Sequence, residues 1–147
     1  MRARVIGAGL AGCEAAWALA QRGVAVELYE QKPARFSPAH SSPDFAELVC
    51  SNSLKSLSPD SAAKKKKNEM RLLGSVTLAA ADRCRVPAGG ALAVDRTEFS
   101  RLVTLSIRSH PLITVIGREY TEIDLSQPTV IATGPLTEGA LAEAVAG

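Results

Sequence analysis

The chain has 147 residues, a hydrophobic fraction of 46% and a formal net charge of +2, which is typical of one globular domain with a packed core. So weak a charge does not require a nucleic-acid partner, and three cysteines without a CxxC pair favour neither a disulfide framework nor a zinc site. No apolar stretch approaches the roughly 20 residues of a membrane span. The N-terminus also lacks a signal peptide, so we expect a cytoplasmic protein with no membrane contact.

The first predicted elements are a strand over residues 3–6 and a helix over residues 10–22, joined by a glycine-rich turn. Gly7 permits a tight turn, Gly9 lets phosphates approach the backbone, and Gly12 allows the helix to pack closely on the strand. The helix N–H groups and the helix dipole face an anion bound there. The turn therefore predicts a pyrophosphate site made by Gly7, Ala8, Gly9, Leu10, Ala11 and Gly12.

A second predicted strand, over residues 24–30, ends on the acid Glu30. Glu30 lies 23 residues after Gly7 and 18 after Gly12. A carboxylate at this spacing is typical of one that accepts hydrogen bonds from an adenosine ribose. Strand, turn, helix and terminal acid together outweigh the alternative of an ordinary βαβ unit with a chance glycine triplet.

A long segment without sustained periodicity follows, over residues 31–56. Loops of this length inside a compact domain are usually functional or disordered. Its stretch 45–54 carries apolar residues and is expected to be packed. A helix is then predicted from about residue 62 to residue 73, with the lysines at 64–67 on a solvated face. That interpretation is favoured over a nucleic-acid contact because no aromatic residues interleave with the lysines.

The second half of the chain begins with an apolar stretch, 76–81, that could extend the helix predicted over residues 62–73. Two short strands around a Pro/Gly turn are then predicted within 85–94. Asp95 starts the next helix and forms a capping box with Glu98. The helix ends near residue 110. The remaining elements are predicted as strands over 112–116 and 129–134, a crossing segment over 120–123 and a final helix from Thr137 to residue 145.

These elements predict an α/β protein with a parallel sheet, in which the 112–116 strand lies beside the second strand and the 129–134 strand beside the first. The glycine turn, Glu30, Thr133 and Gly134 then converge at the carboxyl ends of the strands. A simple NAD dehydrogenase continues with a helix and a third strand soon after the acid, whereas about eighty residues intervene here. We therefore expect a Rossmann-like FAD-binding fold of the two-dinucleotide-binding flavoprotein type, with an insertion at about 31–111.

Further motifs along almost the whole chain are more specific than the glycine turn. The blocks 46–54, which contains Cys50, and 86–96 are the most distinctive, and smaller blocks lie at 14–17, 38–40, 69–71, 80–82, 98–99, 110–111 and 131–137. On these residues the chain resembles the N-terminal part of the TrmFO family, the folate- and FAD-dependent tRNA uracil-5-methyltransferases formerly grouped with the Gid proteins. Family members are much longer, so the resemblance implies a C-terminal part beyond residue 147.

The resemblance implies transfer of a one-carbon unit from methylenetetrahydrofolate to C5 of a T-loop uridine in tRNA, with FAD and NAD(P)H as cofactors. A thiolate that adds to C6 makes C5 nucleophilic, and reduced flavin supplies the hydride. Cys50 matches the family's N-terminal motif cysteine and is the candidate catalytic thiol, while the family's attacking cysteine lies beyond Gly147. Besides the turn and Glu30, the implied cofactor-binding residues are Gln31, Lys32, Asn52, Ser53, Ala91, Leu92, Ala93, Thr133 and Gly134.

Two departures from the family pattern stand out. Gln31 and Lys32 replace the usual Met-Arg pair, so an ammonium stands where a planar guanidinium is common. In the stretch 61–68, a face that is usually apolar has become lysine-rich.

Two other functions remain open. An MnmG-like tRNA-modifying flavoprotein shares the glycine turn, but the blocks around Cys50 and over 86–96 argue against it. A noncatalytic nucleotide-binding fragment is the second alternative. Cys50 itself could be a small buried hydrophobe, and Cys13 and Cys84 are expected to be packing residues.

Overall fold

The computed structural model describes residues 1–32, 34, 41–48, 53–56, 62–87, 91–120 and 126–133. In chain order these residues form β1 (Arg2–Ile6), α1 (Leu10–Gln21), β2 (Ala25–Tyr29), β3 (Ser53–Ser56), α2 (Ala62–Leu72), α3 (Val76–Arg83), β4 (Arg85–Val86), β5 (Ala91–Val94), α4 (Arg96–Ser109), β6 (Ile113–Ile116) and β7 (Thr129–Ile131). The predicted final helix from Thr137 and most of the predicted crossing segment lie outside the described residues. Among the helices of these ranges, none has both the length and the apolarity needed to span a bilayer.

The main sheet is parallel and has the strand order β6-β2-β1-β7. Val5 of β1 pairs with Leu28 of β2 on one side and with Val130 of β7 on the other. Val5 and Leu28 are fully buried, so the centre of the sheet is part of the core. This order confirms the predicted strand neighbours and brings the carboxyl ends of four parallel strands to one edge.

The segment between β2 and β6 contains a second, antiparallel sheet of order β3-β5-β4. Strands β4 and β5 confirm the two strands predicted within 85–94. Strand β3 corrects the prediction of an irregular segment, because Ser53 pairs with Ala93 and Ser56 with Ala91. Its sequence, Ser-Leu-Lys-Ser, has no clear apolar alternation, so pairing with β5 rather than local pattern defines it. The division into a domain with an insertion at 31–111 stays a prediction.

Gly74, with φ of +78°, separates α2 from α3. The Ser75 hydroxyl oxygen accepts a hydrogen bond from the N–H of Leu78 at 3.2 Å, so α3 is a new capped helix and not an extension of α2. Lys65 and Lys66 are exposed as predicted, but Lys67 is buried. Since each residue turns a helix by about 100°, consecutive lysines cannot all lie on one solvated face.

Helix α4 begins at Arg96 and is capped by Asp95, whose Oδ1 accepts a hydrogen bond from the N–H of Glu98 at 2.9 Å. The other half of the predicted capping box is replaced by different contacts. The N–H of Asp95 donates to the carbonyl of Cys84, and the Glu98 carboxylate pairs with Arg101. Helix α4 packs against α1 and β6. The apolar residues Phe99, Val103 and Ile107, which recur at helical spacing, are fully buried, and Leu102 is partly buried.

Glu14 of α1 ties that helix to the start of α3. Its carboxylate accepts a hydrogen bond from the backbone N–H of Thr77 at 2.8 Å and further hydrogen bonds from the hydroxyls of Ser75 and Thr77. Because Glu14 lies one turn into α1, these contacts fix the helix just beyond the glycine turn.

Candidate dinucleotide-binding site

The glycine turn lies at the carboxyl edge of the main sheet, and two of its glycines are required by the packing of the turn itself. Gly7 has φ of +98°, and a Cβ at this residue would lie 2.6 Å from the carbonyl oxygen of Ala132. A Cβ at Gly12 would lie 1.7 Å from the carbonyl oxygen of Gly7. Glycine at residue 7 therefore allows the turn to lie against Ala132, directly after β7, and glycine at residue 12 allows α1 to lie against the turn.

Gly9 differs, because among the described residues, apart from its chain neighbours, a Cβ at Gly9 would meet no heavy atom within 4 Å. Its φ of −76° suits any residue, so neither packing nor backbone strain requires glycine here. Gly9 is the N-cap of α1, and among the described residues no side chain caps the helix and no acid lies in its first turn. The described residues thus leave the backbone at Gly9 open beside the first N–H groups of α1, as a helix-terminus anion site requires.

Glu30 is buried at the end of β2 and binds the turn directly. Its Oε2 accepts a hydrogen bond from the N–H of Ala8 at 3.1 Å, and its Oε1 accepts one from the N–H of Lys32 at 3.1 Å. A carboxylate has about four acceptor positions, and these two contacts use one on each oxygen. Glu30 therefore holds the turn through hydrogen bonds within the chain.

Lys32 anchors residues 41–48, which we call the covering segment. Its ammonium donates to the carbonyl of Asp44 at 2.8 Å and pairs with Oε2 of Glu47 at 3.3 Å. Glu47 also accepts hydrogen bonds from the N–H groups of Ser41 and Ser42, each at 3.0 Å. Burial opposes ionisation of Glu47, but these hydrogen bonds and the ammonium hold the pKa of its carboxyl below the ordinary value.

The covering segment packs directly onto the glycine turn. The N–H of Ala46 donates to the carbonyl oxygen of Ala8 at 2.8 Å, and Ala46 has φ of +53°, in the left-handed region. From α4, the Ser100 hydroxyl donates to the carbonyl of Ala46, and the Thr104 hydroxyl oxygen accepts the N–H of Phe45. The prediction that the stretch 45–54 is packed is confirmed at Phe45, Ala46 and Leu48, whereas residues 49–52 lie outside the described residues. No sequence signal indicates the contact with Ala8.

Two of the three cysteines are structural, as predicted. Cys13 is fully buried, and its thiol donates to the carbonyl of Ala8 at 3.4 Å. Burial, followed by the negative charges of Glu30 and Glu14, raises the pKa of the Cys13 thiol to about 12. Burial also raises the pKa of Cys84, whose thiol donates to the carbonyl of Ala80 at 3.1 Å.

The other predicted site residues fall into three groups. Thr133 lies beside the turn, since its Cα is 3.2 Å from the position of a Cβ on Gly7. Ala93 is buried in β5, which also contains Ala91 and Leu92 and pairs with β3 at Ser53. Cys50, Asn52 and Gly134 lie outside the described residues, so their roles stay predictions.

A cavity of about 350 Å³ lies away from the glycine turn, near the far end of α1. Trp17 and Gln21 of α1, Ser75 and Ala79 from α3 and its cap, and Ser106 of α4 are among its lining residues. It is therefore separate from the candidate site.

Comparison with known proteins agrees with these features. The family model described as "Glucose inhibited division protein A" matches residues 2–144. The TrmFO methylenetetrahydrofolate--tRNA-(uracil-5-)-methyltransferase of Lysinibacillus sphaericus is 59% identical over 97% of this chain and 32% of its own length. That of Bacillus subtilis is 59% identical over 93% of this chain and 31% of its own length. The chain thus spans about a third of these curated relatives.

Solved structures show the same fold at low sequence identity. GidA of Aquifex aeolicus superposes with a TM-score of 0.67 and 15% identity, over 88% of this chain and 23% of that chain. The GidA-related protein of Thermus thermophilus gives a TM-score of 0.50 and 18% identity, over 90% of this chain and 52% of that chain. These likenesses confirm the predicted Rossmann-like FAD-binding fold class. The chain belongs to the glucose inhibited division protein A family, and within it the chain is similar to the N-terminal third of the TrmFO proteins.

Proposed function

We propose that the chain is the FAD-binding N-terminal part of a methylenetetrahydrofolate-dependent tRNA (uracil-5-)-methyltransferase. The observation that carries this proposal is the open backbone space over Gly9 at the uncapped start of α1, since no other described atom needs that space. The 59% identity to TrmFO proteins supports the substrates, which are those named for the relatives.

In this proposal, different residues bind different parts of the cofactor. The first N–H groups of α1 bind the pyrophosphate, and Glu30 accepts hydrogen bonds from the ribose while it holds the N–H of Ala8. Gln31, Thr133 and Gly134 lie beside the nucleotide. Lys32 contributes by anchoring the covering segment, because its ammonium binds Asp44 and Glu47. FAD held by these residues and reduced by NAD(P)H would supply the hydride that completes the methyl group.

The flavin side of the site is assigned to the second sheet and its neighbours. Ser53 of β3 pairs with Ala93 of β5. This pairing joins the two distinctive sequence blocks, 46–54 and 86–96, in one sheet. Asn52 precedes β3, and Ala91 and Leu92 belong to β5. Cys50 is proposed as a thiol near this side.

This chain spans only about a third of the length of its relatives, so binding of tRNA and methylenetetrahydrofolate is proposed for the whole protein. We also propose that the protein acts in the cytoplasm. We expect this chain alone to form no 5-methyluridine when it is given unmodified tRNA, methylenetetrahydrofolate, FAD and NADPH. Formation of 5-methyluridine by this chain alone would contradict that expectation.

Cofactor binding is tested by titration with FAD and with FMN, followed by flavin fluorescence. FMN lacks the pyrophosphate and the adenosine that the turn and Glu30 bind in this proposal. We expect FAD to bind at least about tenfold more tightly than FMN. Equal affinities would show that the glycine turn does not bind the dinucleotide.

The transferase assignment is tested in a chimera in which this chain replaces the N-terminal third of the Bacillus subtilis relative. We expect the chimera to bind FAD and to form 5-methyluridine in unmodified tRNA. A folded chimera that binds FAD but forms no 5-methyluridine would contradict the assignment of the substrates while leaving the cofactor site intact.

A further inference from the structure

Helix α2 has an unusual charge composition. Its eleven residues include five cations, Lys64, Lys65, Lys66, Lys67 and Arg71, and one acid, Glu69. The whole chain has a formal net charge of only +2, so the residues outside α2 are net negative. Helix α2 is therefore the main concentration of positive charge in this protein.

The cations of α2 have different surroundings. Lys67 is buried, and Arg71 forms a two-pronged pair with Asp82 of α3, in which Nε donates to Oδ2 at 2.9 Å and Nη2 donates to Oδ1 at 2.8 Å. This pair fixes α2 on α3. Lys65 and Lys66 are exposed to solvent. Two adjacent ammonium groups are thus presented on a helix that is fixed to the fold by other residues.

The fold itself gains little from these two lysines. They lie in the first half of α2, where positive charges oppose the helix dipole, and adjacent like charges repel each other. Burial of the helix uses Lys67 and the partly buried Met70 instead. An anionic partner would offset both unfavourable effects.

We propose that Lys65 and Lys66 form a docking surface for the phosphate backbone of tRNA. The inference rests on the proposed function, since tRNA is the macromolecular substrate in it. The lack of interleaved aromatic residues, which favours a solvated face in the sequence, argues against base stacking but not against phosphate contacts. Lysine ammonium groups bind phosphates as point charges, which positions a nucleic acid without reading its sequence. The surface is distinct from the glycine turn, so it orients the tRNA while the turn binds the cofactor.

The test measures binding of unmodified tRNA to this chain by fluorescence anisotropy over a series of KCl concentrations. The test variant is Lys65→Gln/Lys66→Gln. The matched control is Arg22→Gln/Arg96→Gln, which removes the same charge from exposed residues outside α2. Each lost phosphate contact lowers the salt slope by about 0.7 to 0.9, so we expect the slope of log K against log[KCl] to fall by about 1.6 in the test variant. The control should retain the slope of the parent.

Three results with tRNA overturn the proposal: no binding of tRNA by the parent, an unchanged slope in the lysine variant, or an equal change in both variants. Vesicles of phosphatidylserine and phosphatidylcholine provide the comparison with a membrane. Lysine-dependent binding to vesicles, without a lysine-dependent change on tRNA, also overturns it. Titration with FAD and the chimera assay report separately on the proposed function, so failure of the docking surface is distinguishable from failure of that function.

Discussion

The N–H of Ala46 donates a hydrogen bond to the carbonyl oxygen of Ala8 at 2.8 Å, while the N–H of Ala8 donates to Oε2 of Glu30 at 3.1 Å. Both backbone polar groups of Ala8 are therefore held, one by the covering segment and one by the end of β2. Gly9 follows directly, so the backbone that would approach a pyrophosphate is fixed before the ligand arrives. Such preorganisation reduces the entropy that binding must overcome.

The left-handed backbone of Ala46 makes a test of this link possible. Ala46 is fully buried with φ of +53°, so Ala46→Val places a β-branched side chain in a disfavoured conformation. We expect the free energy of unfolding to fall by about 1 to 3 kcal/mol, measured by urea denaturation. Ala46→Gly removes the strain and serves as the control. An equal decrease in the free energy of unfolding in the two variants would contradict a role for the left-handed backbone conformation of Ala46.

Glu47 predicts a pH dependence of stability. Its pKa is lowered in the folded protein, because hydrogen bonds and Lys32 outweigh burial, the largest opposing influence. The stabilisation is therefore fully present above the unfolded pKa of about 4.3 and is lost as the pH falls through the lower folded pKa. We expect Glu47→Gln to cost about 1 to 3 kcal/mol at pH 7 and progressively less below pH 4. A difference that is constant from pH 7 to pH 3 would contradict this role.

The cysteines should differ in reactivity. Cys13 is fully buried with its pKa raised to about 12, and burial also raises the pKa of Cys84, so both thiols should resist alkylation in the native protein. Cys50 is proposed to lie near the flavin side, so we expect it to react in the free protein and more slowly with saturating FAD. Peptide mass spectrometry after timed labelling measures all three. Labelling of Cys50 at the same rate with and without FAD would contradict the proposal that Cys50 lies near the flavin.

The sequence predicted those parts of the fold that local pattern determines. Apolar periodicity and the need for glycine at residues 7 and 12 predict β1, the glycine turn and α1. The order of the elements in a parallel sheet predicts the pairing of β2 with both neighbours. Asp95 as the N-cap of α4 follows from its side-chain chemistry.

Features that depend on tertiary contacts were not predictable in this way. Strand β3 exists through its pairing with β5, and the burial of Lys67 depends on how α2 packs. The spacing of Glu30 indicated a ribose ligand, but its hydrogen bonds to the N–H groups of Ala8 and Lys32 required the folded turn. The contact between Ala46 and Ala8 joins residues 38 positions apart through the backbone alone, so no side-chain type could have indicated it.

The most direct test of the cofactor site is calorimetric titration of FAD into Gly9→Val. A Cβ at Gly9 meets no heavy atom of the described, non-adjacent residues within 4 Å and the φ of Gly9 is −76°, so we expect the variant to fold with a loss of no more than about 1 kcal/mol for a poorer N-cap. Ala18→Val, on an exposed position of the same helix, is the matched control. The account predicts that Gly9→Val weakens FAD binding by at least about tenfold while the control binds like the parent. Equal affinity of folded Gly9→Val and the parent for FAD would contradict it.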